Sequence, residues 1–335
     1  MALFTWKELP GTNPSAVGAD LGVAAFSGAA YDPTRRLFIF FGGGHNDSDD
    51  NGVYAVRVGL DTPDVVALMA QSASKQIDVA YYSDGKPSSR HTYGSLVYHP
   101  GADGMMPIGA AALWGQALIM GNVDRFKLST NTWDPAGRWA SLPSGAPQSG
   151  ISAVVDNAGN IFATSNGSSG PKIMKWTPTA GTYYPGTWEV WTGTSLGANW
   201  WDTENALTYD PSRNRLVYFG AGSAAAWFDI ATKARTAITF TGPAAGSAAG
   251  KSWSSYCPER DSFFGYEEGT SATMLECRAS DFYVSTVSVA GTAPSSGGTP
   301  TPTGPYNRLK LDTNLGIVML HNNWTNRNLF AFRYK

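Results

Sequence analysis

The sequence predicts an all-β fold, a six-bladed β-propeller of four-stranded sheets, and three observations carry this prediction. One short pattern occurs six times: an apolar strand, a turn of the Tyr/Asp/Pro type, a second apolar strand, then Gly or Asn. The copies recur about every 45–70 residues, which is close to the length of a propeller blade and unlike the common helical repeats. Charged residues make up only 15%, whereas Gly (38) and Trp (12) are abundant, which suits short strands, tight turns and aromatic packing between sheets.

The clearest copies of the pattern are Ala30–Gly44 and Leu207–Gly220. The weaker copies turn at four further places: Tyr98–Pro100, Asp156–Asn157, Tyr256–Pro258 and Leu311–Asp312. The repeat fills the chain from about residue 21 onward, and closed propellers of this length are single units. We therefore expect one domain over residues 1–335.

Each of the first five repeats contains four candidate strands in succession. The first repeat has Val23–Tyr31, Leu37–Phe41, Val53–Val58 and Val65–Met69, and the second has Thr92–Tyr98, Met105–Ile108, Val123–Leu128 and Trp139–Leu142. The third has Ile151–Val155, Ile161–Ser165, Ile173–Trp176 and Trp188–Trp191, and the fourth has Asn205–Tyr209, Leu216–Phe219, Ala225–Phe228 and Ala237–Phe240. The fifth has Trp253–Cys257, Ser262–Tyr266, Met274–Cys277 and Phe282–Val287.

The sixth repeat supplies only three strands, at Arg308–Leu311, Ile317–Leu320 and Leu329–Arg333. The segment Phe4–Pro10 resembles Arg138–Pro143, the expected outer strand of the second blade, and it is predicted to be the missing fourth strand. Pairing the first and last segments would close the ring and remove its open edge. Seven blades are the alternative, if Gln76–Tyr82 forms a further short sheet. The Gly/Ser/Thr/Pro run at residues 291–305 is predicted to be a flexible connection between blades five and six.

Composition excludes several classes of function. The net charge of −2 and the lack of a Lys/Arg run disfavour nucleic acid as a partner. The sequence contains no span of about 20 apolar residues, so it predicts no membrane helix. Its first residues lack the basic-then-apolar layout of a signal peptide. We expect an extracellular or virion-surface protein released without a signal, with a cytoplasmic location as the alternative. Cys257 and Cys277 are predicted to be reduced and buried, because one strand separates them.

Two kinds of loop open on the same face of a propeller: the connection from the second to the third strand of a blade, and the link that leads into the next blade. The first kind carries Gly44–Asp47, Asn166–Ser168, Tyr266–Glu268 and His321–Trp324. The second kind carries Ser89–Tyr93, Trp200–Asn205, Lys251–Trp253 and Tyr306–Arg308. Three of the four histidines fall in these loops, so we expect a site at this mouth of the central channel.

Three segments carry a resemblance to a known family: Gly42–His45, Asn51–Ala55 and Ser89–Gly94. They resemble the Kelch-type and galactose-oxidase-like propellers of bacteria and phages, most strongly over about residues 20–100. The resemblance implies the propeller fold more than an activity, because that superfamily includes oxidases, polysaccharide lyases, sugar-binding modules and scaffolds. A copper oxidase is not supported, since the matching positions lack its tyrosine and histidine ligands.

Two interpretations of the mouth follow. A polysaccharide lyase uses His or Tyr as base and acid for β-elimination, with Arg or His neutralising the uronate carboxylate; the candidate catalytic residues are His45, His91, Tyr93 and Arg90. A glycan-binding protein stacks indole faces on sugar rings while amides and carboxylates bind the hydroxyls. The candidates for that role are Trp200, Trp201, Asp202, Asn205, Trp253, Arg308, His321, Asn322 and Trp324.

The segment Asp47–Gly52 matches the first half of an oxygen-ligand calcium loop, with Asp47, Asp49 and Asn51 as the candidate ligands. The match stops there, because the twelfth position is Val58 where such a loop has Glu. No cofactor is required, and Ca²⁺ is the one candidate.

The sequence favours a carbohydrate-facing binding or surface-recognition propeller, such as an appendage on a phage virion or tail. A polysaccharide lyase is the first alternative, and a purely structural subunit of an assembly is the second. The expected partners are a glycan or cell-surface polysaccharide and other virion or assembly subunits.

Overall fold

The structure is a computed structural model in which six sheets form a six-bladed β-propeller, as the sequence predicts. It describes residues 1–115, 120–143, 151–165, 172–191, 206–220, 225–248, 252–267, 273–291, 294, 307–321 and 328–335. Within these ranges, Gln76–Tyr82 forms no sheet, so the seven-bladed alternative is wrong. Most of the predicted connection at 291–305, together with residues 192–205 and 322–327, lies outside the described residues.

The blades follow one another along the chain. Blade 1 consists of β2 (Ala29–Asp32), β3 (Leu37–Phe40), β4 (Val53–Arg57) and β5 (Asp64–Met69). Blade 3 consists of β12 (Ala153–Val155), β13 (Ile161–Ser165), β14 (Lys172–Thr179) and β15 (Tyr183–Val190), and blade 4 of β16 (Ala206–Asp210), β17 (Arg215–Phe219), β18 (Ala226–Asp229) and β19 (Arg235–Ala237). Blade 5 consists of β20 (Ser252–Trp253), β21 (Ser262–Glu267), β22 (Thr273–Arg278) and β23 (Val284–Val287).

Short 3₁₀ helices at Pro14–Val17, Leu21–Ala24 and Ala245–Ser247 are the helical elements of the described residues. No helix in this part of the chain is long and apolar enough to cross a membrane.

The repeated turn signature has a physical cause in the first hairpin of five of the six blades, for which a capping side chain is seen. An aspartate ends the first strand, and its carboxylate accepts hydrogen bonds from backbone N–H groups of the turn, as in the 2.8 Å bond from Thr34 to Asp32. The same capping recurs at Asp156, Asp210 and Asp312. In blade 2 the ring of His99 replaces the carboxylate and accepts from the N–H of Ala102 at 3.0 Å.

Blade 2 departs from the predicted strands. Its second strand is the long β8 (Gly104–Leu113), which continues through the Ala-rich stretch and pairs with β6 (Arg90–His91), β7 (Leu96–His99), β9 (Met120–Val123) and β10 (Phe126–Lys127). The outer strand is β11 (Thr132–Trp133), so the expectation of an outer strand at Trp139–Leu142 was wrong.

Trp139 lies in the interface with blade 3, because its indole packs on Trp176 with 5.6 Å between ring centroids. Its Nε1 donates a hydrogen bond to the carboxylate of Asp134 at 2.7 Å. The N–H groups of Ala140 and Leu142 donate to Pro185 and Gly121, so this segment bridges two blades rather than extending one sheet.

Blade 6 is closed by the N-terminal strand, as predicted. It contains β25 (Leu309–Asp312), β26 (Ile317–Leu320), β27 (Leu329–Arg333) and then β1 (Thr5–Leu9). Strand β1 runs antiparallel to β27, with Thr5 opposite Arg333, and its other edge pairs with the short β24 (Ala290–Gly291). Trp6 is buried between Tyr266 of blade 5 and Phe332 of blade 6, so the closing strand also contributes to the core.

The closing strand generates a stability prediction. Trp6→Ala should lower the free energy of unfolding by about 3–5 kcal/mol, the usual cost of removing a buried large aromatic side chain. Urea unfolding followed by circular dichroism measures the change. Lys7→Ala, at the next and exposed position of β1, is the control and should change stability by less than about 0.5 kcal/mol. Equal stability of the Trp6→Ala and Lys7→Ala proteins would contradict the role given to β1.

Candidate functional site between blades 1 and 2

The loop between β3 and β4 lies directly against the start of blade 2. Gly43 and Gly44 adopt φ values of 82° and 89°, and a Cβ on Gly44 would fall 2.3 Å from the carbonyl oxygen of Ala112. Only glycine permits so close an approach. The next residue, His45, donates its N–H to Ala112 at 2.8 Å. The triple glycine therefore places His45 against the neighbouring blade. The ring centroid of His45 lies there 6.0 Å from that of His91.

His91 is the centre of a chain of three hydrogen-bonded side chains. Its Nε2 lies 2.9 Å from Oδ2 of Asp47, and its Nδ1 lies 3.2 Å from the hydroxyl of Tyr93. An ionised carboxylate can only accept, so Nε2 carries the proton and donates to Asp47. Nδ1 then accepts the hydrogen bond of the Tyr93 hydroxyl. The arrangement has the logic of a catalytic triad, in which a carboxylate orients an imidazole that contacts a hydroxyl.

Burial beneath the apolar ring of Phe26 determines the protonation states of the His91 imidazole and the Tyr93 hydroxyl. The ring of Phe26 stacks on His91 with 4.5 Å between centroids, and only 5% of His91 is exposed. Burial lowers the pKa of His91 below its ordinary value, against the opposing effect of Asp47. Burial, with a smaller contribution from the charge of Asp47, raises the pKa of Tyr93 to about 12. Near neutral pH the site therefore holds a neutral imidazole and a protonated phenol.

Three residues of the site share a strained backbone conformation. Phe26, His45 and Tyr93 have φ values of 48°, 46° and 44°, in the left-handed region that bulky residues rarely adopt. The N–H of Tyr93 donates to the carbonyl of Phe26 at 2.9 Å, which ties two of them together. Such strain costs on the order of 1–3 kcal/mol per residue and is concentrated at functional sites. Its convergence here marks this corner of the mouth as the candidate site.

Arg90 is adjacent in sequence but faces the interior. Its side chain is fully buried, with Nη1 3.1 Å from Asp124 and with Nη2 and Nε donating to the carbonyls of Ala80 and Ser88. The guanidinium holds the polar segment before blade 2 in place. Its position does not support the predicted contact with a ligand.

Three of the predicted glycan-binding residues are also buried. Trp253 is 1% exposed and stacks on Phe219 with 4.3 Å between centroids. Arg308 is fully buried, and its Nε donates to the carbonyl of His321 at 2.8 Å. His321 is itself buried. None of the three is open to a ligand, because each packs within or between blades. The other predicted binding residues lie outside the described residues: Trp200, Trp201, Asp202, Asn205, Asn322 and Trp324.

The three predicted calcium ligands have separate partners in the protein. Asp47 bonds to His91, Asp49 lies 2.6 Å from Nζ of Lys75, and the amide of Asn51 donates to Ser72 and Pro87. Among the described residues, no three His, Cys, Asp or Glu side chains are placed to hold a metal ion. Calcium binding at this loop stays a prediction and would require these bonds to open.

The sequence analysis missed two members of the site. Asp47 was assigned to calcium rather than to His91, although its place two residues after His45 at the mouth was a usable signal. Phe26 was not singled out, because nothing in its local sequence distinguishes it from other core aromatics. Both cysteines are free and buried, as predicted.

Comparisons with known proteins give no family for this chain and only remote similarities to solved structures. The chain matches no protein-family profile and no curated protein sequence. It is similar in structure to a chain of a mitotic checkpoint complex, with a TM-score of 0.45 and 13% identity over 98% of this chain and 92% of that one. It is also similar to PorZ, a bacterial surface component of the type-IX secretion system of Porphyromonas gingivalis, with a TM-score of 0.48 and 11% identity. That match covers 91% of this chain and 38% of PorZ.

The lowered pKa of His91 generates a prediction about pH. The unfolded chain takes up a proton on this imidazole near pH 6.5, whereas the folded chain resists protonation to lower pH. The stabilising contribution is therefore present above about pH 6.5 and is lost as the pH falls. His91→Gln should flatten the decline in unfolding free energy between pH 7 and 5, measured by urea unfolding at each pH. Burial also lowers the pKa of His99. This residue is unchanged in the variant and still contributes to the pH dependence of the unfolding free energy. An unchanged slope in His91→Gln would contradict the assignment.

Proposed function

We propose that the mouth between blades 1 and 2 is the active site of a polysaccharide lyase that cleaves uronate-containing glycans by β-elimination. The observation that carries the proposal is the Asp47–His91–Tyr93 hydrogen-bond chain. The likeness of Gly42–His45 and Ser89–Gly94 to Kelch-type and galactose-oxidase-like propellers, a superfamily that includes such lyases, supports it further. The proposal places the protein where such glycans occur, outside cells or on a virion surface.

The chain can supply both the base and the acid that the reaction needs. Tyr93 transfers its proton to Nδ1 of His91 in the same step in which its oxygen removes the proton on the carbon next to the uronate carboxylate, so no free phenolate has to form against the raised pKa of Tyr93. Asp47 stabilises the imidazolium that forms. As the carbon–oxygen bond at the neighbouring carbon breaks and a C=C bond forms, Tyr93 returns a proton to the leaving oxygen.

His45 takes the role of neutralising the uronate carboxylate, for which the sequence offered both arginine and histidine. Arg90 and Arg308 are both buried, so neither can meet a uronate carboxylate. His45 is partly exposed and its ring lies beside His91. In its protonated form it can bind the carboxylate and stabilise the negative charge that grows there during proton removal.

Glycan recognition without cleavage is the second candidate. It is favoured by the deep burial of His91, which leaves Tyr93, His45 and Phe26 as the groups that meet a ligand. Aromatic faces beside polar groups suit sugar rings. In this form the protein would serve as a surface-recognition module, such as a phage tail or virion appendage, or as a structural subunit of an assembly.

Ultraviolet absorbance distinguishes the candidates, because β-elimination creates a C=C bond conjugated to the carboxylate. A panel of acidic polysaccharides should include at least one whose ultraviolet absorbance rises with time as the conjugated C=C bond forms. Tyr93→Phe should lower the rate at least ~100-fold, and His91→Gln should lower it ~10–100-fold, in keeping with loss of a general base and of its partner. Tyr256→Phe, which removes a hydroxyl bonded to Asp261 in blade 5, is the matched control and should keep full activity.

Each outcome has a defined meaning. Binding of a polysaccharide that quenches tryptophan emission, with no rise in absorbance, would replace the lyase with the recognition module. Full activity in Tyr93→Phe would remove the proposed base.

A further inference from the structure

The first strands of the six blades surround a cavity of about 310 Å³ in the centre of the ring. Its wall is largely apolar and comes from all six blades, including Leu96, Val154, Leu207 and Leu311. The cavity reaches the face that carries the first hairpin of each blade, where Pro33 and Ser255 line it and are exposed. A small molecule can therefore enter from the side opposite to the mouth. The volume is at the lower end of the range for ligand pockets.

Lys310 supplies an unpaired positive charge to this cavity. It lies on β25 between the buried Leu309 and Leu311, and it lines the cavity together with Leu311. Its ammonium group makes no hydrogen bond or ion pair with any described residue. Removal from water lowers the pKa of this lysine to about 7. The half-buried ammonium has lost part of its hydration and has no acceptor among the described residues, and an anion in the cavity would supply one.

Thr208 lines the same cavity and carries a buried hydroxyl without a hydrogen-bond partner among the described residues. The residue lies on β16 in blade 4 and is 3% exposed. Within the described part of the chain, its Oγ1 has no hydrogen-bond partner. Buried hydroxyl groups nearly always have a hydrogen-bond partner, so this position favours a bound ligand group. Two other polar side chains of the wall are engaged within the protein: the Ser254 hydroxyl donates to the carbonyl of Ser255, and the Asn307 amide donates to the carbonyl of Gly94.

The carboxylates near Lys310 are already occupied by other groups. On its own strand, Asp312 accepts the hydroxyl of Tyr31, and on β2 Asp32 is bonded to Arg35. The wall also holds two phenols, those of Tyr31 and Tyr98, and burial raises the pKa of both, to about 12 for Tyr98. Lys310 is therefore the group of this wall that titrates between pH 6 and 9.

We propose that the central cavity binds a small organic carboxylate, with its charge on Lys310, a hydrogen bond from Thr208 and its apolar body against the leucine and valine wall. An inorganic oxyanion would satisfy the lysine but would leave the apolar wall in contact with water. A neutral molecule of the same shape would leave the ammonium unpaired. This site is separate from the mouth and does not depend on the lyase proposal.

Isothermal titration calorimetry with benzoate tests the proposal. Benzoate should bind, whereas benzyl alcohol, a neutral analogue, and sulfate, an inorganic oxyanion, should bind at least ~10-fold more weakly. Lys310→Met should weaken benzoate binding at least ~30-fold, and Thr208→Val should weaken it ~3–10-fold, in line with loss of a charged and of a neutral hydrogen bond. Lys7→Met, on the exposed face of β1, is the control and should leave the affinity unchanged.

The pH dependence gives a second readout that a merely structural lysine would not show. Benzoate stays ionised while Lys310 loses its proton above about pH 7. The affinity for benzoate should therefore fall with rising pH, with a slope that approaches tenfold for each pH unit. Lys310→Arg keeps its charge and should bind with little change from pH 6 to 9. Benzoate binding that is equal in Lys310→Met, or undetectable in the folded wild-type protein at millimolar concentration, would overturn the proposal. Equal binding of sulfate and benzoate would also overturn it, because the site would then be one for inorganic anions.

Discussion

The pairing of β1 with β27 is the interaction on which the rest of the structure depends. Without it, blade 6 would end in an unpaired edge, and the apolar side chains around Trp6 would face water. Closure also fixes the angle between neighbouring blades, because each inner strand must contact the next around the ring. Both candidate sites use side chains from more than one blade. The Asp47–His91 bond joins blades 1 and 2, and all six blades line the central cavity, so both sites depend on how neighbouring blades are held together.

The strand pattern and the closure were predictable from the sequence because their causes are local. An aspartate that caps the first turn of a blade, as Asp32 and Asp210 do, sits between two apolar runs and leaves a readable signature. The outer strand of blade 2 was mispredicted because Trp139 resembles an outer-strand residue but packs on Trp176 of the next blade. Blade 5 shows the same limit, because Ser254 exchanges hydrogen bonds with Phe264 and shortens the first strand. Contacts of this kind are decided by distant partners and leave no local pattern.

The candidate site was predictable in its position more than in its chemistry. Topology alone brought His45 and His91 to one side of the ring, since their loops open on the same face. Topology could not show that Arg90 turns inward, because its partner Asp124 lies on a distant part of blade 2. It could not show that Lys310 faces a cavity either, since a lysine that alternates with leucines in a strand normally points to water. Whether a charged side chain is solvated or enclosed depends on the neighbouring blade.

Phe26, His45 and Tyr93 adopt left-handed backbone conformations, which oppose thermal stability at the candidate site. Each position would fold more easily as glycine, which reaches positive φ without steric cost. Glycine at Tyr93 or His45 would also remove the phenol and the imidazole to which the proposed reaction assigns a role. If the proposed site is the functional one, selection for heat resistance alone would replace these residues first, and the more heat-resistant descendants would be the less active ones.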